Sequence, residues 1–214
     1  MIDFDGKQIP ESLEELIEPK HTALLIWDMQ NDVVEGIFNR DQIIQAIKNL
    51  LDECRKHGVK VVYSQHTTLD WRNESISWIR YCMKSSHVTD PSRLKLTCVK
   101  DTNGWKIVDE IKPTGDDFVF PKRRPSAFIG TDLDLFLRST GISTVMIAGV
   151  ATELGVESTV RHGTYIGYNM VIIRDCVGSW DKEAHEEAIK FMERRFEVVD
   201  SARIIQAWKQ TVNM

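Results

Sequence analysis

Six short apolar runs punctuate the chain: residues 23–27, 59–63, 118–120, 145–148, 170–173 and 196–199. They show little polar alternation, which suits strands buried on both faces of a parallel sheet. Between them, apolar residues recur at helical spacing. Ile43, Ile44, Ile47, Leu50 and Leu51 share one face of a helix that ends near His57-Gly58, since a glycine just past the last periodic residue is a stop signal. Leu133, Phe136 and Leu137 lead similarly to Gly141, and Ala184, Ala188, Phe191 and Met192 mark another helix. This alternation predicts an α/β fold: a doubly wound, mainly parallel six-stranded sheet with helices on both faces.

One stretch breaks the rhythm. From Thr67 to Lys100 no strand is evident, yet Trp71, Trp78, Arg80, Tyr81 and His87 crowd together. A long connection of this kind is either a lid or binding loop, or a helical excursion covering a sheet edge or a subunit interface. The chain shows no repeats, low-complexity tract or linker, so one domain over residues 1–214 is expected.

Composition narrows the function classes. Among 214 residues, 42% are hydrophobic and 28% charged, the balance of an ordinary globular protein. A net charge of -5 argues against nucleic-acid partners, which need a basic face. No apolar run approaches the roughly 20 residues that cross a bilayer, and residues 1–20 lack the basic start and apolar middle of a signal peptide. A cytoplasmic protein without membrane partners is expected. Cys54, Cys82, Cys98 and Cys176 are far apart, with no CxxC pair, and read as reduced thiols rather than a zinc site.

In open α/β sheets, ligands bind outside the carboxyl ends of strands near the point where strand order reverses. The first run ends in Trp27-Asp28-Met29-Gln30-Asn31-Asp32, without the glycine-rich turn of a phosphate cradle. Asp28 instead places a carboxylate at the strand end, fit for general acid or base work, or else for capping the turn. The third run leads into Lys122-Arg123-Arg124-Pro125-Ser126-Ala127-Phe128, where a lysine either stabilises negative charge or belongs to a solvated basic loop. The fourth runs into Gly149-Val150-Ala151-Thr152-Glu153-Leu154-Gly155, a tight turn entering a helix whose first N–H groups can meet an anion or a polarised carbonyl.

Together these three segments, with the later Asp175-Cys176-Val177-Gly178-Ser179, resemble the isochorismatase-like hydrolase superfamily over about residues 20–205. The resemblance implies a Rossmann-like three-layer sandwich and a site made of an aspartate, a lysine and usually a cysteine. In the amidohydrolase branches that cysteine opens the helix after the fourth strand and attacks an amide carbon, with Asp28 and Lys122 at the matching base and electrostatic positions. It also implies a cis non-proline peptide, here Val150–Ala151, and assembly as a homodimer or homotetramer.

The chain departs from that pattern at its centre, because the cysteine position holds Gly155. A glycine forms no thioester. True isochorismatases share this glycine and hydrolyse a vinyl ether without a covalent intermediate: an aspartic acid protonates carbon, and water adds to the oxocarbenium ion. Gln65 falls where they place a substrate-contacting glutamine, although His66-Thr67-Thr68 lacks their following Pro-Gly. A glycine inside a helix costs roughly 0.5–1 kcal/mol relative to alanine, so the position needs room for either close packing or a ligand; with Asp28 and Lys122 present, room for a substrate or water is the favoured expectation above Gly155. The region after the second strand lacks the D-x-H spacing of the nicotinamidase metal site, so neither metal nor cofactor is expected. The expectation is thus a hydrolase for a small anionic molecule, of vinyl ether type. Asp28 and Lys122 would do the proton chemistry, Gly155 would stand at the thiol's position, and Gln65, Arg124, Ala151, Thr152, Trp27 and Trp71 would contact substrate. Two alternatives stand beside it: water-mediated amide or lactone hydrolysis, and a non-catalytic small-molecule-binding or assembly protein.

Overall fold

A computed structural model describes residues 1–211. An exposed antiparallel hairpin comes first, β1 (Ile2–Phe4) and β2 (Lys7–Ile9), followed by the short α1 (Leu13–Leu16). The core then alternates β3 (Thr22–Trp27), α2 (Asn31–Val34), α3 (Arg40–Lys56), β4 (Lys60–His66), α4 (Ile76–Ser85), β5 (Phe118–Lys122), α5 (Leu133–Ser139) and β6 (Thr144–Val150). A π-helical turn over Thr152–Val156 runs into α6 (Glu157–Tyr165), followed by β7 (Asn169–Gly178), α7 (Lys182–Met192), β8 (Glu197–Val199) and α8 (Ser201–Thr211).

All six expected strands join one parallel sheet, in the order β5-β4-β3-β6-β7-β8. β3 and β6 lie at its centre and are buried along their whole length, which is why their sequences are continuously apolar. Side chains alternate across the sheet, so each strand feeds two cores. One core packs Leu24, Ile26, Val61, Tyr63, Met146 and Ala148 against Ile43, Ile47, Leu50 and Leu51 of α3 and Trp208 of α8. The other packs Ala23, Leu25, Val62 and Phe120 against Leu133 and Leu137 of α5, Val160 of α6 and Ile189 of α7. This is the expected three-layer, doubly wound sandwich.

Three differences have local causes. β5 runs two residues beyond its apolar run, through Pro121 to Lys122; as an edge strand paired only with β4, it tolerates a proline that cannot donate to a second neighbour. β7 continues to Gly178 through a register shift against β6 between Ile147 and Gly149, the mark of a bulge. Residues 67–100 hold α4, which has no fully buried residue and serves as a wall over the carboxyl edge of the sheet. Among the described residues no helix is long and apolar enough to cross a membrane.

Candidate active site

The chain proceeds β3, β4, β5 in one direction and returns to place β6 against β3. The reversal point therefore lies between β3 and β6, and a cavity of about 430 Å³ opens at their carboxyl ends. Trp27, Asp28, Lys122 and Ala151 are its buried lining, with His66 beside them and Trp78, Tyr81, Arg124, Leu154 and Trp180 more exposed around it.

Asp28 follows β3 in the left-handed backbone region, φ 47°, a conformation aspartate tolerates better than most residues. Its carboxylate is held on both oxygens. Lys122 Nζ lies 2.5 Å from Oδ2, and Ser64 Oγ donates to Oδ1 at 2.6 Å. The Asp28 N–H donates in turn to Ser64 Oγ at 3.2 Å. Asp28 and Lys122 are each 2% exposed. Burial pushes the Lys122 ammonium below its ordinary pKa, opposed by Asp28. His66, register partner of Lys122, is also lowered by burial, with Asp28 again opposing.

Trp27 is the residue whose role the sequence concealed. Its indole N–H donates to Thr159 Oγ1 at 3.1 Å, and Lys122 Nζ sits 3.6 Å from its ring centroid. The ring's far edge lies where a side chain at position 155 would begin, and a Cβ built on Gly155 would overlap Cη2 and Cζ2. The expectation of room for substrate or water above Gly155 is therefore corrected. The glycine leaves space for an indole.

The other expected contacts divide. Ala151 lines the cavity beside the cis Val150–Ala151 peptide that the resemblance implied. Thr152 does not, because its hydroxyl donates to Gly178 O at 3.0 Å and meets His185 Nδ1 at 2.8 Å. Gln65 is corrected too: it donates to Trp105 O at 3.2 Å and is absent from the cavity wall. Strand alternation explains this, since Ser64 and His66 point to the Trp27 side and Gln65 between them points away. Arg124 reaches the mouth, but its guanidinium is bonded to both oxygens of Glu74, at 2.9 and 3.4 Å, and lies over Trp78. Trp71 lines a smaller outer chamber of about 230 Å³ that shares Trp78, Tyr81 and His66 with the main cavity. Trp78 and Tyr81 stack with ring centroids 4.9 Å apart. Sequence reasoning missed Ser64 as a partner of Asp28, though its placement two residues before His66 was the available signal. Among the described residues, no group of three or more His, Cys, Asp or Glu is placed to hold a metal ion.

Comparison with known proteins agrees with this architecture. The isochorismatase domain model matches residues 22–203. An uncharacterised isochorismatase family protein of Bacillus subtilis is 32% identical over 82% of this chain and 87% of its own length. A ureidoacrylate amidohydrolase of Pantoea ananatis is 31% identical over 86% of this chain and 80% of its own length. Among solved structures, a cysteine hydrolase from Pseudomonas syringae shares the fold with a TM-score of 0.80 at 21% identity, covering 91% of this chain and 95% of that one. From match, relatives and fold alike, the chain belongs to the isochorismatase-like hydrolase superfamily.

Proposed function

We propose that this protein is a cofactor-free hydrolase of a small, planar molecule, with Asp28 as its proton-transfer group and no side-chain nucleophile. The observation that carries this reading is the Asp28 carboxylate, buried at the cavity floor and held by Lys122 at 2.5 Å and Ser64 at 2.6 Å. The Lys122 ammonium, 2.5 Å from Oδ2, is within reach to pass a proton to Asp28 when a substrate needs it. With a vinyl ether, protonated Asp28 gives its proton to the terminal alkene carbon. The π electrons form the new C–H bond, and an oxocarbenium ion remains. Water adds to that ion, the Asp28 carboxylate takes up the released proton, and the hemiacetal collapses to a carbonyl compound and an alcohol.

The aromatic lining of Trp27, Trp78, Tyr81 and Trp180 suits a planar substrate body. An anionic substrate has less support than the sequence suggested, because Lys122 and Arg124 are already paired with Asp28 and Glu74. A carboxylate would have to share the Glu74 ion pair. The amide or lactone reading, with Asp28 activating water, draws on the ureidoacrylate amidohydrolase relative and on the solved N-carbamoylsarcosine amidase of Thermoplasma acidophilum. The filled position at Gly155 favours direct protonation or water attack over any covalent route. A cytoplasmic, single-domain protein acting as a homodimer or homotetramer completes the reading; exposed Ile76, Leu135 and Tyr165 offer apolar surface for assembly.

A panel of vinyl ethers, amides and lactones, assayed with the native chain and with Asp28→Asn, tests the proposal. Turnover of one class, reduced about 10²–10⁴-fold by Asp28→Asn, is the expected result. Full turnover by the Asp28→Asn variant sinks the mechanism, and binding without turnover by the native chain points to the non-catalytic alternative.

A further inference from the structure

On one face of Trp27 sits the Lys122 ammonium, 3.6 Å from the ring centroid. At the ring's edge sits Gly155, where any Cβ would overlap Cη2 and Cζ2. The ring has no easy way to move aside. Its N–H is bonded to Thr159 Oγ1, which also accepts from Ala127 N at 3.0 Å. Thr159 is fully buried and Trp27 is 5% exposed.

We infer that Trp27 is a positioning residue that has taken the volume a catalytic side chain at residue 155 would need. Its edge excludes such a side chain, and its face holds Lys122 against Asp28. Positions 27 and 155 therefore change chemistry only together. A tryptophan here requires glycine at 155, and a thiol at 155 requires a smaller residue at 27. The absence of a nucleophile follows from a packed pair of residues rather than from one missing side chain. The inference is independent of which substrate the hydrolase reading assigns, and its test uses no substrate.

The pair also explains what the indole contributes when no thiol is present. A buried ammonium has three donors to satisfy, and Lys122 directs them at Asp28 Oδ2 and Arg124 O at 3.3 Å, with the π face of Trp27 beside it. Such a face attracts a cation more strongly once water is excluded. Replacing the indole by an aliphatic group removes this contact and opens the cavity towards residue 155.

The experiment compares Gly155→Cys with Trp27→Val/Gly155→Cys, each checked for folding by circular dichroism. Iodoacetamide alkylation is read residue by residue by mass spectrometry, with half-buried Cys82 as the internal reference. In the double variant the introduced thiol has room, opens onto the cavity and lies near the Lys122 ammonium, which favours the thiolate; it should react roughly tenfold faster than in the single variant. The double variant should also melt above the sum of the shifts of Trp27→Val and Gly155→Cys taken singly. Equal alkylation rates, or additive melting shifts, would overturn the inference. Should the double variant fail to fold, the native chain still decides. Its Lys122 methylene protons, resolved by lysine-selective labelling, must lie upfield of the other lysines because of the ring current, and resonances among those lysines would refute the placement.

Discussion

Replacement of Lys122 by methionine isolates the buried ion pair. The two side chains are 1% and 2% exposed, so water cannot compensate for a lost partner. Asp28 would keep the Ser64 hydroxyl on Oδ1 but lose the ammonium on Oδ2. Removing one member of a buried pair costs about 3–5 kcal/mol. For a chain of this size each kcal/mol lowers Tm by roughly 2–4 °C, so a fall of about 6–20 °C is expected at pH 7. Asp28→Asn added to Lys122→Met leaves no stranded charge, and asparagine accepts the left-handed backbone of residue 28. That double variant should recover most of the loss. Calorimetry of the native chain and both variants at pH 7 measures this. A Tm within about 2 °C of native at pH 7, or a double variant less stable than Lys122→Met alone, would refute the reasoning.

Ser64→Ala removes a buried hydroxyl that both donates to Asp28 and accepts from its N–H; a cost of about 1–3 kcal/mol is expected, and an unchanged urea midpoint would argue against it. His66 has its pKa lowered by burial, so the stability it confers is complete above pH 6.5 and is lost as pH falls through its depressed folded value. His66→Gln should accordingly flatten the decline of the urea midpoint below pH 6.5, and an equally steep decline in both proteins would exclude that origin. Burial raises Cys54 and Cys176 and pushes Cys98 up to about 12. Ellman's reagent should thus modify Cys82 first and the other three only on unfolding; prompt release from any of those three contradicts their burial.

The sheet was legible because β3 and β6 are buried on both faces, and a run such as Ala-Leu-Leu-Ile-Trp has few other uses. The edges were harder. β1 and β2 are three residues each and fully exposed, so no apolar pattern announces them. α8 followed the last strand without punctuation, and its core residue Trp208 is fixed by a hydrogen bond to Ile17 O, 191 positions away. At the site, Asp28 and Lys122 each had an ordinary structural use in a cap or a solvated loop, and they stood out only because separated strand-end segments agreed, in order, with one family pattern. Trp27 and Gly155 were each noticed, yet their relation was invisible, since 128 positions separate them in the chain and only the closing of β6 on β3 brings them together. Gln65 shows the opposite error: similarity in linear position outweighed the two-residue period of the strand that carries it.

The strand order has a consequence for how the molecule is made. Asp28, Ser64 and Lys122 all belong to β3, β4 and β5 or the residue after β3, a contiguous half-sheet complete by residue 122. Synthesis thus delivers the ion pair first. Its cover of Ala151 and Leu154, and the Thr159 hydroxyl that fixes Trp27, emerge later with β6 and α6. Throughout that interval β3 presents an open edge of unpaired backbone N–H and C=O groups, because its partner on that side has yet to leave the ribosome. A strand buried along its whole length in the finished fold is also the one that waits longest for its neighbour, and the nascent chain is most prone to association between the emergence of β5 and the docking of β6.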